Sequence, residues 1–565
     1  MPITSSTRHT PGDFRRATLA LLMLGVTLCA ALGGSATVGA ATSAKPPMIR
    51  AAFYFGNASP LNFWSSDMSG APAAFAQMQA DGFNAVEFVV PWGEFQEGVS
   101  PVRYNPAAFK SLSSLVSVAK AAHLQVILRL SYGVAIDPHN ATDAQYQQVF
   151  SNPKVYASWL GYISRVHQAV AKYNVVKIEQ LSWEDFWTPV AYAQGATTLA
   201  LRLQLATSTG YRAWLRSHYS LAQVSTQYGT TYTTWSRVPT PAYTSPSFAL
   251  MFQYDDWALV HRFFIPAAAR FPGLNLEARV DIDPIHNGTQ VVGSYSHTDT
   301  FVLPGTHYIG TYYSPYLGDP SKSKSESADD ALTGLQTTLA TTTTRAKGRP
   351  LFIFEYQIES NSPEVAHNPA LPPSQLPAFI LGSSSAFEQY TLGYSLWTYR
   401  DYNQNPVFNP SFTLGTNGWT VTGSATPVQS PAGSSLTLSA GTSIKQTFPL
   451  DYLAGNPGSE VTVSFQASSA SASAATINVA VGDAPVRALS VEGGLQTYTL
   501  EVPTADVVTG TAKSQITMTS TAPVSLSDVQ VYNFTQLGDL YSVDGAPEVA
   551  VAPMQTLNQR LAGRS

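Results

Sequence analysis

Cysteine is nearly absent from this 565-residue chain: the one present, Cys29, lies in an apolar run close to the N-terminus. If that run is removed, no thiol remains, which excludes disulfides, thiolate nucleophiles and cysteine-based zinc sites. Charge is scarce as well. Only 12% of residues are charged, the net charge is -5, and no basic run interleaves with aromatics, so nucleic acid is not an expected partner. No G-x-G-x-x-G follows the first strand candidate, which leaves a nucleotide site without a base. Aromatic residues, by contrast, are plentiful, with 10 Trp and 28 Tyr. Large cores and strands account for part of that excess, and rings that stack on the apolar faces of sugars would account for the rest.

The apolar run itself predicts a compartment. Arg15 and Arg16 precede it, it extends from Ala17 to about Ala31, and small residues with A-x-A-like sites follow near Ala40 to Ala44. This pattern reads as a secretory signal peptide over residues 1–44, too short and wrongly flanked for an anchor, and the arginine pair hints at twin-arginine export. Leu28 stands where a lipoprotein signal would carry a small residue. The expectation is a secreted, extracellular protein without a membrane partner once the signal is cleaved.

Length makes two or three domains the prior. Over 45–405 the chain alternates apolar strands with helical stretches. The strand candidates are IRAAFYFG (49–56), NAVEFVVPW (84–92), QVILRLSYG (125–133), VKIEQLSWED (176–185), LNLEARVDID (274–283), HYIGTYYSPY (307–316), PLFIFEYQ (350–357) and LGYSLWTY (392–399). Eight such strands with helices between them predict an α/β fold, a (β/α)8 TIM barrel, with a doubly wound open sheet as the alternative. After Tyr402 Ser, Thr, Ala, Val and Gly dominate, and short alternating runs such as EVTVSFQAS and TINVAVG predict an all-β sandwich over 406–535. The last segment, 536–565, carries a turn at Asp544-Gly545 and then a helical run, and is expected to return to the barrel and close it.

Barrel chemistry sits at the C-terminal ends of the strands. Those ends supply Asn57, Trp92 and Glu94, Arg129 and Tyr132, Glu184 and Asp185, Asp281 and Asp283, Tyr312 and Tyr313, Glu355 and Tyr356, then Trp397 and Asp401. This is a ring of acids and aromatics with very little Lys or His. Phosphate handling and hydride transfer do not call for that set. Glycoside hydrolysis does: it needs an acid, a second carboxylate across the sugar, and rings and amides to hold the hydroxyls. Glu355 sits in an apolar strand where an unpaired acid would cost several kcal/mol, so catalysis or a structural ion pair must explain it. Glu184 competes with Asp185 and Glu179. Asp281 and Asp283 lack a histidine at ligand spacing and read as hydrogen-bonding groups, so no metal and no cofactor is expected.

The arrangement resembles clan A of the retaining glycoside hydrolases, in which the acid/base Glu ends strand four and the nucleophile Glu ends strand seven. Glu184 and Glu355 fall on those strands, and Trp397 matches the Trp that the clan commonly places beneath the sugar on strand eight. The segments GYRAWLRSHYSLAQVSTQYGTTYTTWSRVPTP and FALMFQYDDWALVHRFFIPAAARF resemble the stretch after strand four in family 42 beta-galactosidases. FNPSFTLGTNGWTVTG resembles the opening of jelly-roll carbohydrate-binding modules. Two positions depart from the clan: Trp183 stands where Asn usually precedes the acid/base, and strand two carries Glu87 where an Arg is usual, the nearest being Arg129.

The resemblance implies a retaining mechanism, with Glu184 as acid/base and Glu355 as nucleophile roughly 5 Å apart. Trp183, Phe186 and Trp187 are expected to raise the Glu184 pKa, and Arg129 with a tyrosine, Tyr312 or Tyr313, to keep Glu355 ionised. Asn57, Trp92, Glu94, Arg129, Trp183, Asp281, Tyr312, Tyr313, Trp397 and Asp401 are the expected contacts to an oligo- or polysaccharide. The alternative is a catalytically inactive barrel that binds glycan. The long segment after strand four could wall off one end of the cleft or build an oligomer contact.

Overall fold

The computed structural model describes residues 47–130, 143–181, 189–280, 282–315, 327–358, 371–430, 433–450, 453, 460–469, 475–508, 513–538 and 540–563. The expected signal peptide lies outside the described residues. Eight strands form one sheet: β1 (Ile49–Phe53), β2 (Ala85–Val90), β3 (Gln125–Leu130), β4 (Val176–Leu181), β5 (Leu274–Leu276), β6 (Ile309–Tyr313), β7 (Leu351–Tyr356) and β8 (Thr391–Leu396). They pair in parallel in the order β6-β7-β8-β1-β2-β3-β4-β5. A parallel bridge between Glu277 and Gly310 closes the ring, and the Ala278 N–H donates to the Gly310 carbonyl at 2.9 Å. The eight strands expected from the sequence are thus the eight staves of a TIM barrel. Their sequences are continuous apolar runs because both faces are covered, the inner by the barrel's own side chains and the outer by helices.

Alternation along the strands sorts the interior into two layers. The lower layer is apolar, built from Ala51, Ala85, Ile127, Ile178 and Phe352, and Phe354, two residues beyond Phe352, extends this apolar cluster up to the Arg129 guanidinium. Two residues further along β2, β3 and β4 stand Glu87, Arg129 and Gln180, all buried. On β6 the position facing Gln180 is Gly310, where a Cβ would come within 2.7 Å of the Gln180 amide oxygen, so only glycine leaves room for that side chain.

The fifth unit departs from the expected pattern. The candidate strand 274–283 splits: β5 is three residues long, and Ile282–Asn287 turns back on Gln290–Ser296 as an antiparallel hairpin. The described residues between β5 and β6 hold this hairpin and a 3-10 turn, Asp299–Phe301, but no α-helix. Between β4 and β5 an excursion carries four short helices, Pro189–Gln194, Leu199–Ser208, Tyr211–His218 and Leu221–Tyr228, before the longer helical stretch beginning at Ala249. The fourth starts with a reciprocal cap in which Ser220 and Gln223 satisfy each other's backbone N–H groups.

Residues 420–532 form two five-stranded antiparallel sheets around their own apolar core. The strand Glu460–Ser469 buries every second residue, the pattern of a sheet with one face inward. Beyond it, Thr535–Gln536 pairs with Tyr402–Asn403, and the helix Val551–Ala562 packs on the barrel helix Leu376–Tyr390. A single carboxylate gathers this closure: Asp81 accepts from Tyr399 at 2.7 Å, Tyr541 at 3.0 Å, Gln555 at 2.8 Å and Gln77 at 3.1 Å. Asn558 donates to the Asp81 carbonyl at 2.9 Å and accepts from the Tyr394 hydroxyl at 2.5 Å. Among the described residues no helix is long and apolar enough to cross a membrane.

Asp81→Ala would leave those donors without their acceptor, and is expected to lower unfolding stability by about 2–4 kcal/mol. The urea midpoint and the rate of proteolysis within 537–550 report it; an unchanged midpoint would mean that apolar packing alone holds the helix. We propose on the same contacts that 406–535 is an insertion ahead of the closing helix. Excising 408–535 behind a short linker is then expected to leave a cooperatively unfolding barrel, whereas truncation after 405 is not, as circular dichroism melts would establish.

Candidate active site at the barrel mouth

Glu355 sits near the end of β7 and is 7% exposed. Its carboxylate is held from two sides. Arg129 donates through Nη1 to Oε2 at 2.8 Å, and Gln357 donates through Nε2 to Oε1 at 2.8 Å. Arg129 comes from β3, is 2% exposed, and lies over the Phe354 ring at 4.8 Å. Its second terminal nitrogen reaches Glu277 Oε2 at 3.4 Å, from the residue that closes the barrel beside β5. Tyr312, half-buried on β6, is paired in register with Glu355. Trp397, just past β8, is half-exposed over a bed of rings, with centroids 4.7 Å from Phe53 and 5.5 Å from Phe55. The carboxylate and the cation thus meet between β7 and β3, with Tyr312 on the adjacent strand β6 and Trp397 just past the adjacent strand β8.

Other expected contacts are placed differently. Trp92 is buried, its indole N–H donating to Gln96 Oε1 at 3.1 Å and its ring packed on Tyr146, so it belongs to the core. Tyr313 points outward from β6, its hydroxyl donating to the Ala331 carbonyl at 2.6 Å in the neighbouring helix. Asp401 is buried and accepts from the Gly538 N–H at 2.7 Å, tying the chain to the closing segment. Glu94 is buried in the short helix Trp92–Phe95. Asn57 is exposed and accepts from the Arg400 guanidinium. Glu184, Trp183, Tyr132, Asp185 and Asp281 lie outside the described residues.

Two buried acids were not among the expected site residues. Glu277 is one, fully buried and bonded to Arg129. Because β5 ends at Leu276, this is the acid that ends the strand, where the longer strand read from the sequence pointed to Asp281; the apolar alternation LNLEARV carries the signal. Glu87 is the other. It is fully buried inside the barrel, and neither carboxyl oxygen makes a well-formed hydrogen bond to a described group. Burial pushes its pKa up to about 8, pulled back in part by Arg129 and Ser395 and raised further by Glu355. The acid where the clan has an arginine is thus a mostly neutral side chain at pH 7.

A second charged cluster stands at the base of the hairpin. His297 is bonded at 2.6 Å through Nδ1 to Asp256 and at 2.6 Å through Nε2 to Asp283, while Arg279 bonds both Asp255 and Asp283. Burial lowers the His297 pKa and Arg279 lowers it further, but the two carboxylate hydrogen bonds outweigh both and the net shift is upward. Burial likewise raises Asp255 to about 6 against the pull of Arg279. Asp283 therefore serves the hairpin base. Among the described residues no group of three or more His, Asp or Glu is placed to hold a metal ion. A cleft of about 510 Å³ lined by Val260, His261, Ile265, Phe301 and Arg345 among others lies beside this cluster, and none of its walls belongs to the Glu355 group.

Glu87 generates a pH prediction with a defined sign. Its folded pKa, about 8, lies above the ordinary 4.5, so the folded state holds the proton more tightly. Stability is fullest below about 4.5 and falls as pH rises through about 8. A tenfold change in proton affinity is about 1.4 kcal/mol, so the whole effect is on the order of 5 kcal/mol. Glu87→Gln, which cannot ionise, is expected to gain Tm relative to wild type progressively across that window and to level off above it. Calorimetry from pH 4 to 9 measures this; a difference independent of pH would remove Glu87 as the titrating group.

No family model matches the chain, and neither does any curated protein. Among solved structures, a GH5_18 protein from Streptomyces cattleya in complex with GlcNAc is 13% identical with a TM-score of 0.40, over 64% of this chain and 72% of that one. The exo-beta-1,4-mannosidase Op5Man5 from Opitutaceae bacterium strain TAV5 is 15% identical with a TM-score of 0.38, over 64% of this chain and 54% of that one. TmCBM61 in complex with beta-1,4-galactotriose is 16% identical with a TM-score of 0.19, over 23% of this chain and 99% of that one. The resemblance to family 42 has no counterpart among these matches, and at such scores nothing about this chain's chemistry follows from any of them.

Proposed function

We propose that this chain is a secreted retaining glycoside hydrolase acting on an oligo- or polysaccharide, with Glu355 as nucleophile and Glu184 as acid/base. The observation that carries this reading is the state of Glu355: a carboxylate at the end of a barrel strand, oriented on both oxygens by Arg129 and Gln357, with Tyr312 and the partly exposed Trp397 on the two neighbouring strands. A structural ion pair alone does not call for a half-exposed indole and a tyrosine at the same strand ends. Glu184 follows the end of β4 by three residues, and β4 is separated from β7 in the ring by β5 and β6.

The chemistry then takes two steps. Glu355 attacks the anomeric carbon as Glu184 protonates the leaving oxygen, and water, deprotonated by Glu184, releases the sugar from Glu355. Arg129 and Gln357 present the attacking oxygen in one orientation, and Trp397 supplies an apolar platform for the sugar ring.

Aryl galactosides, glucosides, arabinosides, fucosides and mannosides, together with polysaccharides, test the reading on wild type, Glu355→Gln and Glu184→Gln. Each substitution is expected to lower kcat/KM at least about 10³-fold, equivalent to about 4 kcal/mol of transition-state stabilisation. Azide is expected to rescue Glu184→Gly and to yield a glycosyl azide of retained configuration. Turnover by Glu355→Gln at the wild-type rate would remove it as nucleophile. Binding without turnover by wild type on every donor would leave a glycan-binding barrel.

A further inference from the structure

Among the described residues Arg129 pairs with two carboxylates, Glu355 and Glu277, and the reaction proposed above consumes the first of them. In the first step the Glu355 oxygen forms a bond to the anomeric carbon while the bond from that carbon to the leaving oxygen breaks, and the leaving oxygen takes the Glu184 proton. The negative charge therefore passes from Glu355 to Glu184, and Glu355 becomes a neutral ester. The guanidinium beside it does not change. It is 2% exposed, so solvent cannot take over the lost partner. A buried cation left without a counter-charge is a high-energy arrangement. Glu277, fully buried and 3.4 Å from Nη2, is the group placed to prevent it.

We infer that Glu277 is a positioning residue of the nucleophile: it holds Arg129 as a permanent second counter-charge, so that the guanidinium stays in place and paired while the Glu355 carboxylate is tied up in the glycosyl ester. The inference rests on the glycosidase reading and goes beyond it, since it gives Glu277 a role through Arg129 alone. Three features of the fold support it. Glu277 is set at the single bridge that closes the barrel between β5 and β6, which fixes its backbone. Arg129 lies over the Phe354 ring, so its plane has little freedom to swing towards another acid. Glu87, the third acid of the interior, is mostly protonated at neutral pH and does not compete as an anion for the same guanidinium.

The role has a kinetic signature that a merely structural residue lacks. Removing the Glu277 charge makes the ester intermediate less stable relative to free enzyme, so its formation slows and its hydrolysis does not. On 2,4-dinitrophenyl β-D-galactoside, -glucoside and -mannoside, whichever wild type turns over with hydrolysis rate-limiting, Glu277→Gln is expected to lower kcat/KM by about tenfold to a hundredfold. Its kcat is expected to change by less than about threefold, and the burst of dinitrophenol to shrink. Glu277→Asp, which keeps the charge, is expected to restore most of kcat/KM. It also serves if Glu277→Gln fails to fold, because a charged variant with a wild-type burst supports the role and one that loses kcat and kcat/KM together overturns it. A parallel loss of both constants in Glu277→Gln, or no change in either, likewise overturns it. The two levels separate cleanly: no turnover by wild type on any donor defeats the glycosidase assignment and an active Glu355→Gln defeats the nucleophile assignment, whereas an inactive Glu355→Gln beside a wild-type-like Glu277→Gln defeats this inference alone.

Discussion

The Arg129–Glu355 ion pair is the constraint around which the barrel interior is arranged. A guanidinium at 2% exposure costs several kcal/mol unless its charge is met. The upper interior therefore draws acids inward from other strands, Glu355 from β7 and Glu277 from beside β5. Burial raises the pKa of Glu87, in the same interior, to about 8, against the pull of Arg129 and with a further push from Glu355. The layer below must then be dry and close-packed, and it is: alanines on β1 and β2, isoleucines on β3 and β4, and Phe352 on β7. An apolar floor beneath the charges excludes water from one side and strengthens each electrostatic contact above it.

The same economy explains the irregular fifth unit. β5 is three residues long, so the sheet closes there through one bridge, and the residue at that bridge is Glu277. The chain then leaves as a hairpin whose second strand is almost wholly exposed. Such a ribbon buries little apolar surface, and it is held by polar means. His297 is clamped between Asp256 and Asp283, Arg279 reaches Asp255 and Asp283, and Arg345 donates to the carbonyls of Val280 and His297. Among the described residues the buried ion pairs thus fall in two clusters, one around Arg129 and one at the base of the hairpin.

Much of this was legible in the sequence, and what was not has a physical cause. Long apolar runs such as AVEFVV and LFIFEY announce buried parallel strands, and all eight appear in the expected order. Glu355 was legible because an acid inside such a run is costly and needs a reason. Glu277 was not, since the period-two pattern of LNLEARVDID continues past the point where the strand stops; what ends it is the hairpin pairing, a contact between residues several positions apart. Trp92 and Tyr313 were read as mouth residues from their place at strand ends. Strand position does not settle which way a ring turns, however: Trp92 turns into the helix after β2, and Tyr313 towards the helix after β6. His297 carried no signal because its partners Asp256 and Asp283 stand far apart in sequence.

The opening of the sandwich is in contact with the barrel. Phe408, Phe412 and Trp419, the rings that made its opening resemble a carbohydrate-binding module, are all buried. That opening turn instead grips the barrel: the Asn409 N–H donates to Ser65 Oγ at 3.0 Å, Thr413 donates to the Ser65 carbonyl at 2.6 Å, and Asn62 donates to the carbonyls of Asn405 and Val407 at 3.0 Å each. The gripped segment carries Phe63, whose ring lies edge-on to Phe55 at 6.0 Å, and Phe55 in turn lies 5.5 Å from Trp397. An unbroken run of hydrogen bonds and ring contacts therefore leads from the sandwich to the bed beneath the indole at the barrel mouth. Close-packed interiors transmit displacement because they contain few voids to absorb it. Trp397 beside Phe53 and Phe55 is therefore joined by packing contacts to the sandwich as well as to the barrel that carries it.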